Sequence, residues 1–253
     1  MEFVANEDHL GTPESAWAAS DRLKDLPPLP EIRPRRLVVV APHPDDEIFG
    51  AAGLVQAMYA NHVEVVVVPV TDGEASHPLT VARQGIDLRG MRRAESSLAL
   101  DRLGSHSPVV TRLGIPDGHV AQHIDDLMGM LGDVLLPDDL CVAPWWRDGH
   151  PDHDACGEAS LVATKSAGAR MLGYFVWAWH WADPDGSDLP WDDCRRLNFT
   201  RKEAARKRWA TAAFRTQTRP LGADRDGAPL LPAPLLRRFW RSYEVFVDAS
   251  GVG

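Results

Sequence analysis

The sequence predicts an α/β protein, with a mostly parallel Rossmann-like sheet flanked by helices and extra strands toward the C-terminus. Three observations carry this. Leu37–Ala41 and Val63–Val70 are continuous apolar runs, the pattern of strands buried on both faces. Between such runs the spacing turns helical, as in 46–60 with Ile48, Ala51, Ala52, Val55, Met58 and Tyr59. Strand and helix then alternate along the chain, which implies βαβ units.

Residues 1–36 are polar and run into Pro27-Pro28-Leu29-Pro30 and Arg33-Pro34, so an extended lead-in is expected. Residues 37–253 read as one domain. Pro42 closes the first strand, and Thr71-Asp72-Gly73 closes the second. A helix is expected over 88–103, with Met91, Leu98 and Leu103 on its apolar side. Short strands at 109–113 and 140–143 flank a helical stretch, 124–136. Met171–Trp181 reads as a strand whose period of two puts Phe175, Trp177, Trp179 and Trp181 on one face. Thr200 and Glu203 form a capping box that opens a helix running to about 217. Residues 218–236 are a loop rich in proline and glycine, and 243–247 form the last strand.

Of the 253 residues, 44% are hydrophobic and 25% charged, which excludes a disordered chain. Cys141, Cys156 and Cys194 are odd in number and have no CxxC spacing. A disulfide scaffold and a cysteine zinc module are excluded, and a reducing compartment follows. The net charge of −9 is uneven: 14 Lys+Arg face 31 Asp+Glu in residues 1–194, but 13 face 5 in 195–253. An acidic body argues against nucleic acid. The basic end is expected to neutralise that body, with a phosphate site as the alternative. Met1–Asp8 has early acids and no apolar core, and no apolar run nears the roughly 18 residues of a span. The reading is a cytoplasmic protein with no membrane partner; a homo-oligomer is compatible with it.

Two segments bear chemistry. Pro42-His43-Pro44-Asp45-Asp46-Glu47 follows the strand 37–41, and His150-Pro151-Asp152-His153-Asp154 follows the strand 140–143. Ligands in open α/β sheets bind beyond the carboxyl ends of strands, so both loops can meet in one crevice. Each histidine precedes a proline and so favours extended backbone, while Pro44 and Pro151 suit a first helical turn. The acids that follow then sit at helix N-termini, where the dipole keeps carboxylates ionised. His43, Asp46 and His153 supply two imidazoles and one carboxylate and leave a position for water, the open pattern of a hydrolytic zinc site. Asp45 points elsewhere and can serve as general base. Six other histidines, His9, His62, His77, His106, His119 and His123, have no partner spacing and read as surface residues.

With Thr71-Asp72-Gly73-Glu74 and Arg92-Arg93-Ala94-Glu95, these loops make the sequence resemble the PIG-L/LmbE family of metal-dependent N-deacetylases over roughly residues 37–217. The resemblance implies removal of an acetyl group from an N-acetylglucosamine-type conjugate by a metal's water. It implies zinc at His43, Asp46 and His153, with Fe2+ or another divalent metal also accepted by such ligands. It further implies Asp45 as base and His150 as the group that polarises the carbonyl and stabilises the oxyanion; His150, if protonated, is near enough to His153 to meet that oxyanion. Arg92 and Asp117 match positions that contact substrate, and the lack of an N-terminal span implies that the substrate is not lipid-linked. Asp152 or Asp154 is expected to orient a histidine or to cap a helix. Two rivals stand beside this reading: a non-haem Fe(II) oxygenase with the same 2-His-1-carboxylate set, and a non-catalytic, metal-dependent sugar-binding module. A nucleotide-binding Rossmann protein is disfavoured because no GxGxxG follows the first strand.

Overall fold

The structure, a computed structural model, describes residues 11–104, 108–222 and 227–251. Met1–Asp8, His9 and His106 lie outside the described residues. A seven-stranded sheet is built from β1 (Arg36–Ala41), β2 (Glu64–Pro69), β3 (Val109–Val110), β4 (Leu140–Pro144), β5 (Arg170–Tyr174), β6 (Cys194–Asn198) and β7 (Tyr243–Asp248). Its order is β3-β2-β1-β4-β5-β7-β6. The first five strands run parallel, and β7 pairs antiparallel with both β5 and β6. The mostly parallel α/β architecture expected from the sequence is therefore present.

The apolar runs are continuous because both faces are covered. Leu37 and Val39 enter a core with the helix Asp46–Ala60, whereas Val38 and Val40 enter a second core with the helices Ile124–Val134 and Pro151–Ala167. Numbering helices along the chain, these are α3, α6 and α7; α1 is Glu14–Ala19 and α2 is Asp21–Asp25. Between α3 and α6 lie α4 (Pro78–Gln84) and α5 (Leu88–Arg102). Among the described residues, no helix is long and apolar enough to cross a membrane.

The lead-in is not uniformly extended. α1 and α2 form because Trp17 is fully buried, its indole N–H donating to the Trp179 carbonyl at 3.0 Å and its ring meeting Trp179 edge-on at 4.9 Å. Only the proline-rich part is extended, where Leu29 and Pro27 exchange backbone hydrogen bonds with Arg196 on β6. Three arginines of the basic end bind the N-terminal segment. Arg241 pairs with Glu14, Arg238 donates to the Thr12 carbonyl and Arg196 to the Leu23 carbonyl.

The expected strand 171–181 is corrected. β5 stops at Tyr174, and Ala178–Trp181 forms a helical turn, α8. The cause is a single carboxylate: Asp148 accepts the backbone N–H groups of Val176, Trp177 and Ala178 at 2.9–3.0 Å, drawing the chain off the sheet. The tryptophans therefore share no face. Trp179 enters the core, Trp177 lies over His150, and Trp181 is 45% exposed. β6 and α4 have no counterpart in the expected elements. The run Cys-Arg-Arg-Leu-Asn lacks the apolar signal because β6 is an edge strand with solvent on one side. α9 (Arg201–Thr211) opens on the expected Thr200–Glu203 capping box.

Candidate metal centre

β1 and β4 are neighbours, in register from Leu37↔Leu140 to Val39↔Val142, so the loops leaving their carboxyl ends lie side by side. Pro151 starts α7 with His150 in extended backbone at its N-cap, and Asp45 caps α3. Asp45 has φ 136°, a strained setting for a residue other than glycine. That kink parts two adjacent carboxylates. Asp46 faces His43 and His153, while Asp45 faces Arg92, 3.3 Å away.

Three donor atoms converge. Asp46 Oδ2 lies 3.3 Å from His43 Nδ1 and 3.2 Å from His153 Nε2, and the two nitrogens are 3.3 Å apart. Donors bound tetrahedrally at about 2.0–2.1 Å would be separated by about 3.3 Å, so the spacing fits zinc or a cation of similar size. The hydrogen bonding agrees. His153 Nδ1 meets Asp148 at 2.9 Å, and His43 Nε2 meets Asp152 and Asp117, each at 3.2 Å. Those carboxylates take one ring N–H from each histidine, so in the neutral form the two facing nitrogens are the ones left to donate lone pairs. Deprotonated, those two nitrogens and the Asp46 carboxylate would direct lone pairs at one point, as a bound divalent cation requires.

Without a cation, the surrounding carboxylates favour protons on the rings, which a bound metal would displace. Burial works to lower the basicity of His153, but Asp46 and Asp148 outweigh it and hold its pKa at about 9. Burial likewise opposes the charge on Asp46, yet His153 and His43 keep it ionised, far below the usual carboxylate range. Asp45 moves the opposite way. Burial raises it well above the carboxylate range, Arg92 opposes, and Asp46 and Glu47 add to the rise. Neighbouring carboxyls pushed apart in this manner suit a ligand beside a proton carrier.

His150 is displaced toward neutrality. Burial, reinforced by His153 and His43, brings its pKa down to about 3. Its Nδ1 accepts the Asp152 N–H at 3.2 Å, which leaves Nε2 to carry the proton. The expected oxyanion group is thus a neutral imidazole that donates from Nε2, with the Trp177 ring stacked on it at 5.5 Å. A second donor set, His43, His150 and Asp152, shares His43, but His150 Nδ1 is already occupied.

Arg92 is buried, donating to the Gly73 and Pro44 carbonyls at 2.9 and 2.8 Å as well as to Asp45. Asp117 is only partly buried; Ala75 N–H anchors its Oδ2, and its Oδ1 faces His43. Asp152 serves His43 from the neighbouring strand end and is anchored by the N–H groups of Gly118 and Val120. Asp154 accepts the Gly149 N–H and shapes the loop. Asp148, fully buried, was not anticipated. Nothing in the run Trp146-Arg147-Asp148-Gly149 marks it, because the three backbone N–H groups it accepts, 176–178, follow a different strand.

The family described as PIG-L: GlcNAc-PI de-N-acetylase matches residues 38–164. A probable N-acetyl-alpha-D-glucosaminyl L-malate deacetylase 2 of Bacillus subtilis (strain 168) is 29% identical over 135 residues, 50% of this chain and 59% of that relative. The chain therefore spans less than two thirds of that relative's length. Among solved structures, the A40926 pseudoaglycone deacetylase Dbv21 is similar with a TM-score of 0.62 and 21% identity, over 85% of this chain and 97% of that one. The N,N'-diacetylchitobiose deacetylase of Pyrococcus horikoshii follows the same fold, with a TM-score of 0.55 and 18% identity over 79% and 73% of the two chains. The family match takes in β1, α3, β4 and most of α7, and so both converging loops; this chain belongs to the PIG-L family.

Proposed function

We propose that the protein is a divalent-metal-dependent N-deacetylase acting on an N-acetylglucosamine-type aminosugar conjugate. The carrying observation is the convergence of His43 Nδ1, Asp46 Oδ2 and His153 Nε2 within 3.3 Å of one another, with Asp45 and His150 beside them. The family described as GlcNAc-PI de-N-acetylase and the relatives that act on N-acetylated sugars support the substrate class.

A divalent cation held by the three donors supplies Lewis acidity and a water of lowered pKa; zinc is the first choice, with Fe2+ compatible. The amide C–N bond breaks, a C–O bond to the water oxygen forms, and acetate and a free amine leave. Asp45 takes the proton from the attacking water and returns it to the leaving nitrogen, and its raised proton affinity suits both halves of that shuttle. His150 donates its Nε2 hydrogen bond to the developing oxyanion without changing charge. Asp117 sits at the rim of the site as a substrate contact. Arg92, buried beneath the loops, reaches substrate only by way of Asp45 and the two carbonyls it holds, and so positions the base.

The oxygenase rival sits less well on a mostly parallel α/β sheet, and a sugar-binding module leaves Asp45 without a task. The test is amine release from a series of N-acetylglucosaminides, with metal-replete and chelator-treated protein, alongside metal analysis. Metal-dependent amine release is expected. Oxygen- and 2-oxoglutarate-dependent turnover with no amine would overturn the reading.

A further inference from the structure

Away from the metal centre, the described residues form a groove of about 410 Å³, lined by Trp181, Asp183, Pro184, Asp185, Thr12, Ser20 and two alanines of α1. That volume lies in the range of small-ligand sites, about 300–1,000 Å³. Its chemistry is specific. Trp181 offers an exposed aromatic face, Asp183 and Asp185 are exposed carboxylates, and Ala16 and Ala19 keep the opposite wall low. A sugar ring brings apolar C–H faces that stack on an indole and hydroxyls that donate to carboxylates. No lysine or arginine lines the groove, and two carboxylates repel an anion.

The groove adjoins the ligand loop. The Trp181 indole N–H donates to the Asp148 carbonyl at 2.7 Å, and the ring lies against Gly149, the residue before His150. A Cβ at Gly149 would come 2.6 Å from Trp181 Nε1, and its φ of +93° also favours glycine. The far wall is held in place: Thr12 N–H donates to the His180 carbonyl and Thr12 Oγ1 to the Ala182 carbonyl, both at 2.7 Å. Every lining residue lies outside the family match of residues 38–164.

We propose that this groove is a second sugar subsite, binding a neutral saccharide ring attached to the residue whose acetamido group enters the metal centre. The proposal rests on the deacetylase reading. Two measurements test it. The first is kcat/KM on N-acetylglucosamine, N,N'-diacetylchitobiose and the trisaccharide, for wild type, Trp181→Leu and Ala19→Trp. Wild type is expected to gain about tenfold from one ring to three, equivalent to about 1.4 kcal/mol. Both variants should lose that gain, Ala19→Trp by filling the groove while the rate on the single ring is kept. The second is calorimetric titration with cellotriose, which has no acetyl group and so reads binding without turnover. Binding by wild type that both variants lose supports the subsite, even if no acetylated sugar is cleaved and the deacetylase reading fails. A flat series with no cellotriose binding, or binding that survives in both variants, overturns it. Should Trp181→Leu fail to fold, Ala19→Trp, on an exposed helix position, decides alone.

Discussion

Asp148 Oδ2 lies 2.9 Å from Nδ1 of His153, and the same buried carboxylate accepts three consecutive backbone N–H groups, Val176 to Ala178. One side chain thereby orients a histidine of the candidate donor set and sets the turn that lays Trp177 over His150. His153 and the ring packed on His150 thus depend on a common anchor.

Replacing that anchor should be costly for the metal. Asp148→Asn is expected to weaken metal affinity about 10–100-fold, the usual effect of losing an outer partner of a metal-bound histidine. Competition against a chromophoric chelator measures it; unchanged affinity would show that His153 is oriented by other contacts.

Asp45→Asn separates base from ligand. Because Asp45 turns away from the three donors, the variant should hold metal as wild type does and lose about 10²–10⁴-fold in kcat. Near-normal turnover would remove Asp45 from the proton path.

A buried ion pair supports the ligand helix. Lys207 Nζ donates to Glu244 at 2.7 Å and to the Phe49 carbonyl at 2.8 Å, while Glu244 accepts the N–H groups of Gly53 and Leu54. Phe49 C=O and Gly53 N–H are the two halves of one rung of α3, so the pair is spliced into the helix that begins with Asp46. Removing one partner, as in Lys207→Met, strands a buried charge and should cost about 3–5 kcal/mol. The double change to methionine and leucine should recover much of it. Urea denaturation of the single and double variants gives the comparison, and equal stabilities would contradict it.

His180 makes the fold acid-sensitive. Burial and the nearby Arg238 bring its pKa down to about 3, against about 6.5 in the unfolded chain. The unfolded state therefore binds the extra proton between those values, and this contribution to stability is full above pH 6.5 and falls as pH drops toward 3. The slope from this residue is about 1.4 kcal/mol per pH unit in the lower part of that window. His180→Gln should flatten the fall in denaturation midpoint between pH 6 and 4; an unchanged slope would assign the acid sensitivity to other groups.

Much of this protein was legible without its structure, because the signals are local. The buried strands at 37–41 and 140–143, the helix after Asp45 and the histidine–proline–acid runs each reside within a few consecutive residues. A strand buried on both faces must be apolar throughout, and residue types that ligate a metal at a strand end are visible as written. By itself the sequence determined the parallel α/β core and the family resemblance, and it singled out His43, Asp46 and His153, which the fold brings within 3.3 Å of one another.

Tertiary structure alone decided the rest. Asp152 serves His43, 109 positions away, and Asp148 bends a chain segment 28 to 30 residues downstream. The tryptophans of 177–181 looked like a sheet face by their period, and became core, stacking partner and groove wall once that carboxylate ended the strand. Composition gave the basic end no particular partners; Arg241, Arg238 and Arg196 found Glu14, Thr12 and Leu23 at the opposite end of the chain. The physical reason is the same in each case. Hydrophobic period and proline placement act over a turn or a strand, whereas a buried carboxylate or guanidinium is satisfied by whichever groups the completed fold brings within hydrogen-bond distance.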